Sequence, residues 1–290
     1  MDELSDRLRK HVDVLAELIG ERNTGHPHAL EAARAYLRRE LTAMGCVVRE
    51  QVFHVHNRHA VNLEVQLDGK RQGRPILVVG AHYDSAVGTP GADDNASAVA
   101  ILLEICRVLS SRSLKRGVRI VFFDCEEPPH FNYGEMGSQH HAAELRRSGE
   151  NVLGMICLES LGYYVGRSNV SPHVPWPLRW LLRVVGQKNV IVVSNLKSAG
   201  FLLRFLSRFG TSGLFPFVPA ALPVKWVPDI ELSDHRGYWE QGFLALMVTD
   251  TAHLRNPNYH QPTDRLATLD VGRMSRLCRQ LSRTIGRMCG

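Results

Sequence analysis

The chain is expected to fold as an α/β protein with a mostly parallel central sheet and helices on both faces. Two observations support this. From Gly73 onward, apolar runs of strand length alternate with stretches of helical period, as in repeated βα units. In addition, residues able to hold metals fall just past the ends of those runs: His82, Asp94, Glu126 with Glu127, Glu159 and His260. Open α/β sheets bind ligands outside the carboxyl ends of their strands, so positions far apart in sequence can meet there.

The elements follow in order. Apolar spacing over 3–20 suits a helix, and a second helix runs over 28–44 and stops at Gly45. Two alternating stretches, 46–54 and 60–67, are expected to form a hairpin or adjacent edge strands. The strand at 75–80 leads to a helix over 95–112, that at 118–124 to a helix over 137–147, and that at 152–158 to a long variable segment. Helices are then expected over 177–187, 198–208, 234–241 and 270–288, with strands at 189–193 and 243–249. Between Gly210 and Leu232 the chain carries four prolines and several large apolar residues. A segment of that length without regular structure suits a lid or binding loop, and Phe215, Phe217 and Trp226 are its candidate pocket walls. No repeat, low-complexity tract or linker divides the chain, so residues 1–290 are expected to form one domain.

With 44% hydrophobic and 22% charged residues, the composition is that of a globular protein with a sizeable core. The net charge of +6 is spread out, and its densest group lies on the last helix. There Arg273, Arg276, Arg279, Arg283 and Arg287 stand opposite Met274, Leu277, Leu281, Ile285 and Met288, the pattern of a solvated face on a docked helix. No nucleic-acid partner is inferred from it. No apolar run has the length of a membrane span, and the acidic start MDELSDRLRK lacks the pattern of a secretory signal. The six cysteines are scattered without a CxxC pair, consistent with buried free thiols and a cytoplasmic protein. A monomer or small homo-oligomer is expected.

The candidate site residues occur in telling pairs. His82 and Asp84 form an HxD, in which the carboxylate can orient the second nitrogen of a metal-bound imidazole. Asp93 and Asp94 stand where a helix begins; either can be a simple N-cap, or Asp94 can bridge two cations. Glu126 and Glu127 follow the strand VRIVFF directly and would repel each other unless a cation or a shared proton compensates. One of them can ligate while its neighbour accepts a proton from the attacking water. Glu159 and His260 each supply one further ligand. Two metals ~3.5–4 Å apart polarise a carbonyl and acidify water together. Imidazole and carboxylate donors without thiolate suit two Zn2+, with Co2+ or Mn2+ as substitutes.

The ordered series AHYDS, PGADDNAS, CEEPP followed by Gly137-Ser138, LESLGY, SDH at 233–235 and YHQPTD resembles the co-catalytic zinc exopeptidases over about residues 20–285. These include the bacterial leucyl-type aminopeptidases, with glutamate carboxypeptidase and glutaminyl cyclase as more distant relatives. The resemblance implies a phosphorylase/hydrolase-like three-layer α-β-α sandwich with a mixed, mainly parallel sheet. It also implies that His82, Asp94 and Glu159 bind one zinc and Asp94, Glu127 and His260 the other. On the same footing Glu126 is the general base, Tyr259 hydrogen-bonds the oxyanion, and the substrate is a peptide with a free N-terminus. Three positions depart from the usual pattern: Glu159 stands where Asp is frequent, Ala98 where Gly is common, and the span from Pro128 to Met136 is longer. The competing readings are a glutaminyl-peptide cyclotransferase, which shares the fold but works with one zinc and lacks the DDNAS form, and a non-catalytic binding module.

Overall fold

The computed structural model describes residues 2–55, 58–71, 73–164 and 188–290; the helix expected over 177–187 lies outside them. Helix α1 (Glu3–Val12) is capped by the Asp2 carboxylate, which accepts from the Ser5 amide at 2.8 Å, and the chain stays helical through Ile19. Helix α2 (Pro27–Ala43) starts on a proline, whose missing N–H is no loss in a first turn, and ends before Gly45 in a left-handed conformation. The expected hairpin is present as β1 (Val48–Val55) and β2 (Arg58–Leu67).

The βα series comprises β3 (Ile76–His82), α3 (Ala98–Ser110), β4 (Val118–Phe123), the short α4 (His130–Tyr133), α5 (Gly137–Arg147) and β5 (Val152–Glu159). Beyond it lie β6 (Val190–Asn195), α6 (Ala199–Ser212), β7 (Phe217–Leu222), α7 (His235–Glu240), β8 (Ala245–Thr249) and α8 (Val271–Cys289). The sheet order is β1-β2-β4-β3-β5-β8-β6-β7. The central four strands β4, β3, β5 and β8 are parallel, β1 and β2 join antiparallel, and β6 runs antiparallel to β8 with β7 parallel to it.

Side chains of the central strands alternate between two buried layers. Leu77, Val79, Ile120, Phe122, Ile156, Leu158, Leu246 and Val248 face the layer built with α1, α2, α3, α6 and α8. Val78, Val121, Phe123, Met155, Cys157, Ala245 and Met247 face Ala142 and Leu145 of α5 and Tyr238 of α7. Burial on both faces explains why these strands are continuous apolar runs in the sequence. The register sets His82 opposite Phe123 and Glu159 opposite Thr249, so the strand ends line up on one edge. The connections diverge at β3, with β4 on one side and β5 on the other, which opens a crevice at that edge.

One expectation is corrected. The segment from Gly210 to Leu232 is not a loop throughout, because Phe217–Leu222 is strand β7 at the end of the sheet. Pro219 is tolerated there because an outermost strand has one unpaired side and can dispense with an N–H.

Candidate metal centre

Four of the proposed site residues come directly from strand ends of this edge. His82 ends β3, Glu126 and Glu127 follow β4, and Glu159 ends β5. Asp94 precedes α3, and His260 stands on the loop after β8. The Asp94 carboxylate lies between the two histidines: Oδ1 is 3.3 Å from His82 Nε2 and Oδ2 is 3.1 Å from His260 Nε2. Glu159 Oε2 lies 3.2 Å from His82 Nε2, and Glu127 Oε2 lies 3.1 Å from His260 Nε2. Glu126 Oε2 is 3.8 Å from His82 Nε2. His82, Asp94 and Glu127 also present ligand atoms all within 4.8 Å of one another. All five sequence-predicted ligand positions therefore meet, with Glu126 beside them.

Local backbone explains how they are aimed. Gly91, just before the Asp pair, has φ +61°, and a Cβ there would strike the Asp94 carbonyl, so this turn needs glycine. Among the described residues six non-glycine positions have positive φ. Cys125, Ser160, Ser233 and His260 adjoin or belong to the cluster, while Thr251 and Ala252 line the neighbouring cavity. Backbone strain gathers at functional sites in this manner.

Other acids hold the loops rather than face the centre. The Asp84 carboxylate accepts from the amides of Glu126 and Glu127 at 3.2 and 3.1 Å and stands 3.3 Å from His82 Nδ1, near enough to orient the ring though without a directed hydrogen bond. Asp264 accepts from the amides of Asp93 and Asp94, which ties the His260 loop to the bridging aspartate. Asp93 accepts from Gly162 N at 2.8 Å and Asn256 Nδ2 at 2.7 Å. Ser233 and Ser160 hydroxyls donate to the two oxygens of Glu159 at 2.6 and 2.9 Å. Arg22, wholly buried, donates to the carbonyls of Leu15, Gly20, Tyr83, Pro90 and Gly91 and so spans the loop between His82 and Asp94. Arg22, Ser233 and Asp264 were not singled out from sequence. For Ser233 and Asp264 the available signal was membership of the motifs SDH and YHQPTD; Arg22 had none.

The electrostatics of the centre suit a divalent cation. Burial opposes ionisation of Glu127 and, with Asp94 beside it, pushes its pKa up to about 7. Burial, then Glu127, Glu159 and Asp234, push Glu126 well above the usual carboxylate range, against the pull of His82. Burial disfavours charge on both histidines, yet the surrounding carboxylates outweigh it: His82 is raised well above its ordinary value and His260 to about 11. His260 Nε2 and Glu127 Oε1 are buried and make no directed hydrogen bond. These orphaned lone pairs, in a donor set of imidazoles and carboxylates, fit divalent zinc.

The cluster opens onto a cavity of ≈ 270 Å³ whose walls are chiefly apolar, including Ile191, Val193, Val218, Ala220, Ile230 and Met247. Tyr259 lines it and stacks on His260 at 3.9 Å between ring centroids. Burial raises its hydroxyl well above the ordinary value, so it remains a neutral donor. Phe131, from the long span between Pro128 and Met136, also reaches the cavity. Phe215, Phe217 and Trp226 do not line it. Phe215 packs edge-on against Tyr164, Phe217 against Phe209, and Trp226 is 80% exposed. That segment contributes Val218, Pro219, Ala220 and Leu222 of β7 instead, while Phe217 turns away onto Phe209.

Comparisons with known proteins agree with this geometry. Residues 62–201 match Peptidase family M28. The uncharacterised protein YfbL of Escherichia coli K12 is 34% identical over 289 residues, covering 94% of this chain and 84% of that one. The chain spans about half the length of the curated leucine aminopeptidase it matches from Arthroderma gypseum. Among solved structures, BSAP, a zinc aminopeptidase from Bacillus subtilis, superposes with a TM-score of 0.76 at 14% identity, covering 98% of this chain and 95% of that one. The Fimbriiglobus ruber glutaminyl cyclase does so at 0.73 and 20% identity, covering 99% and 96%. At such identities these two likenesses speak for the fold alone. With the full-length similarity and the family match together, this chain belongs to peptidase family M28.

Proposed function

We propose that this chain is a zinc-dependent aminopeptidase that removes the N-terminal residue of a peptide. The observation that carries the reading is the Asp94 carboxylate facing His82 with one oxygen and His260 with the other, beside Glu126 in the lining of an apolar cavity. Two ions would be held, one by His82, Asp94 and Glu159 and one by Asp94, Glu127 and His260. Zinc supplies Lewis acidity toward the scissile carbonyl and lowers the pKa of the attacking water. Glu126 accepts the proton of that water and returns it to the leaving amine. Its buried position 3.8 Å from His82 Nε2, beside the ligand set, suits a group that must hold a proton between the two steps. Asp84 fixes His82 and the Glu126–Glu127 backbone, and the Tyr259 hydroxyl donates to the developing oxyanion. The apolar wall accommodates an apolar N-terminal side chain.

Selectivity for an N-terminus needs recognition of the free amine, and the carboxylates of Glu127 and Glu159 stand where they would meet it. An acetylated terminus could neither coordinate a metal nor pair with those acids, a loss of ~1–3 kcal/mol or more. The expected preference for a free over an N-acetylated form of one peptide is at least about tenfold in kcat/KM, since ~1.4 kcal/mol is a factor of ten. Equal rates on the two forms would identify an endopeptidase or deacylase instead.

A further inference from the structure

Away from the metal centre, the structure brings together two cysteines that lie far apart in sequence. Cys46 sits in the turn between α2 and β1, half-buried, and Cys106 is a buried residue of α3. Their Sγ atoms are 3.8 Å apart, the one sulfur–sulfur contact among the described residues. The other four cysteines are buried, and burial pushes the thiols of Cys125, Cys157, Cys278 and Cys289 upward, which keeps them protonated and inert.

From this contact we infer that Cys46 and Cys106 form a modification site, a dithiol that closes to a reversible disulfide with low-molecular-weight disulfides. The two sulfurs differ in the way such a reaction needs. The S–H of Cys106 can donate to the Cys46 sulfur, and this contact draws Cys46 down to about 7 while the same contact and burial raise Cys106. Cys46 is thus the sulfur better poised to attack, and it is also the partner that solvent reaches. Its neighbours allow the remaining approach of the two sulfurs. Gly45 stands at φ +78° with open space around it, and Val47 is exposed, so the turn carrying Cys46 can shift while α3 stays fixed.

The exchange balances without another reagent. The Cys46 thiolate attacks one sulfur of a disulfide RSSR, forming the mixed disulfide and expelling RS−. Cys106 loses its proton and attacks the Cys46 sulfur, expelling the second RS−. Two thiols of the protein are oxidised, RSSR is reduced to two RSH, and the sulfur–sulfur bond joins the end of α2 to the middle of α3.

The test uses the metal-loaded full chain treated with oxidised glutathione. Alkylation after denaturation is expected to find four thiols in place of six, with the peptides carrying Cys46 and Cys106 linked by mass spectrometry and restored to six by dithiothreitol. Closing so long a loop is expected to raise Tm by up to about 7 °C, reversibly. Cys46→Ser and Cys106→Ala should each abolish both changes, and because Cys46 is half-exposed its variant keeps the test valid if the core variant fails to fold. Six free thiols after treatment, or a stable glutathione adduct on Cys46 with Cys106 still free, would overturn the inference.

Discussion

Arg22→Met should destabilise the protein and disable it at the same time. The Arg22 guanidinium donates to five carbonyls and touches no carboxylate. After substitution the Leu15 and Gly91 carbonyls keep the amides of Gly20 and Ala96, and that of half-buried Gly20 can turn to water. The buried carbonyls of Tyr83 and Pro90 have no other donor among the described residues. Two such groups at ~1–3 kcal/mol each give about 4 kcal/mol. A chain of this length has an unfolding entropy near ~0.6 kcal/mol/K, so Tm should fall by about 7 °C. The carbonyls of Tyr83 and of Pro90 and Gly91 flank the loop that leads from His82 to Asp94. Well below the melting range, kcat/KM should therefore drop at least about tenfold. Calorimetry and steady-state kinetics on the metal-loaded variant measure both, and Arg22→Lys, with fewer donors, should fall in between. A Tm within about 2 °C of the parent together with full activity would refute the reasoning.

Further outcomes are expected at the centre and beyond it. Glu126→Gln should retain metal and lose roughly 10²–10⁴ in kcat, whereas Glu127→Gln should weaken metal binding first; exchanged phenotypes would exchange the roles. Elemental analysis should find about two zinc ions per active chain; Asp94→Ala should lose both or be inert, and full activity with one ion or none would sink the two-metal proposal. His235, buried and donating from Nε2 to the Ile230 carbonyl, has its pKa pulled down by burial to about 4. Its contribution is therefore complete above pH ~6.5, where the unfolded ring is neutral too, and is lost as pH falls toward 4, amounting to about 3 kcal/mol. Urea unfolding at pH 7 and pH 4.5 should show this loss in the parent and much less of it in His235→Gln.

The central strands were legible because burial on both faces turns them into uninterrupted apolar runs, and the last helix because its arginines and apolar residues segregate onto opposite faces. The cluster was legible for a related reason: His82, Glu126, Glu127 and Glu159 end or follow such runs, and the adjacent Glu126 and Glu127 have no structural motive there. Strand β7 was hidden by Pro219, which excludes a central strand but not an outermost one. The cavity walls differ from the expected ones with it: Val218, Pro219 and Ala220 line the cavity while Phe217 packs on Phe209, and that division requires knowing that a strand is there. Arg22 left no trace because its partners are backbone carbonyls, and a carbonyl carries no residue identity.

Three of the motifs couple a residue aimed into the centre with an acid aimed at backbone. Asp84 holds the amides of Glu126 and Glu127 behind His82; Asp93, beside Asp94, holds Gly162, next to the end of β5; Asp264, four residues past His260, holds Asp93 and Asp94. The segments are thus gripped crosswise, each by a carboxylate belonging to another segment, and this is how loops from four parts of the chain can present ligand atoms within a few ångströms. Such a framework concentrates negative charge: burial and the neighbouring acids push Asp93 to about 6 and Asp264 to about 8. Hydrogen bonds from amides offset part of that cost, and Arg22, with Asp84, Asp264, Asp94 and Glu127 acting on its charge, offsets more. The remainder lies on the residues that face the cavity, with which no arginine or lysine forms a direct ion pair among the described residues. A divalent cation is the species that fits that position, and the same carboxylates that would hold it have their loops held by acids that never touch it.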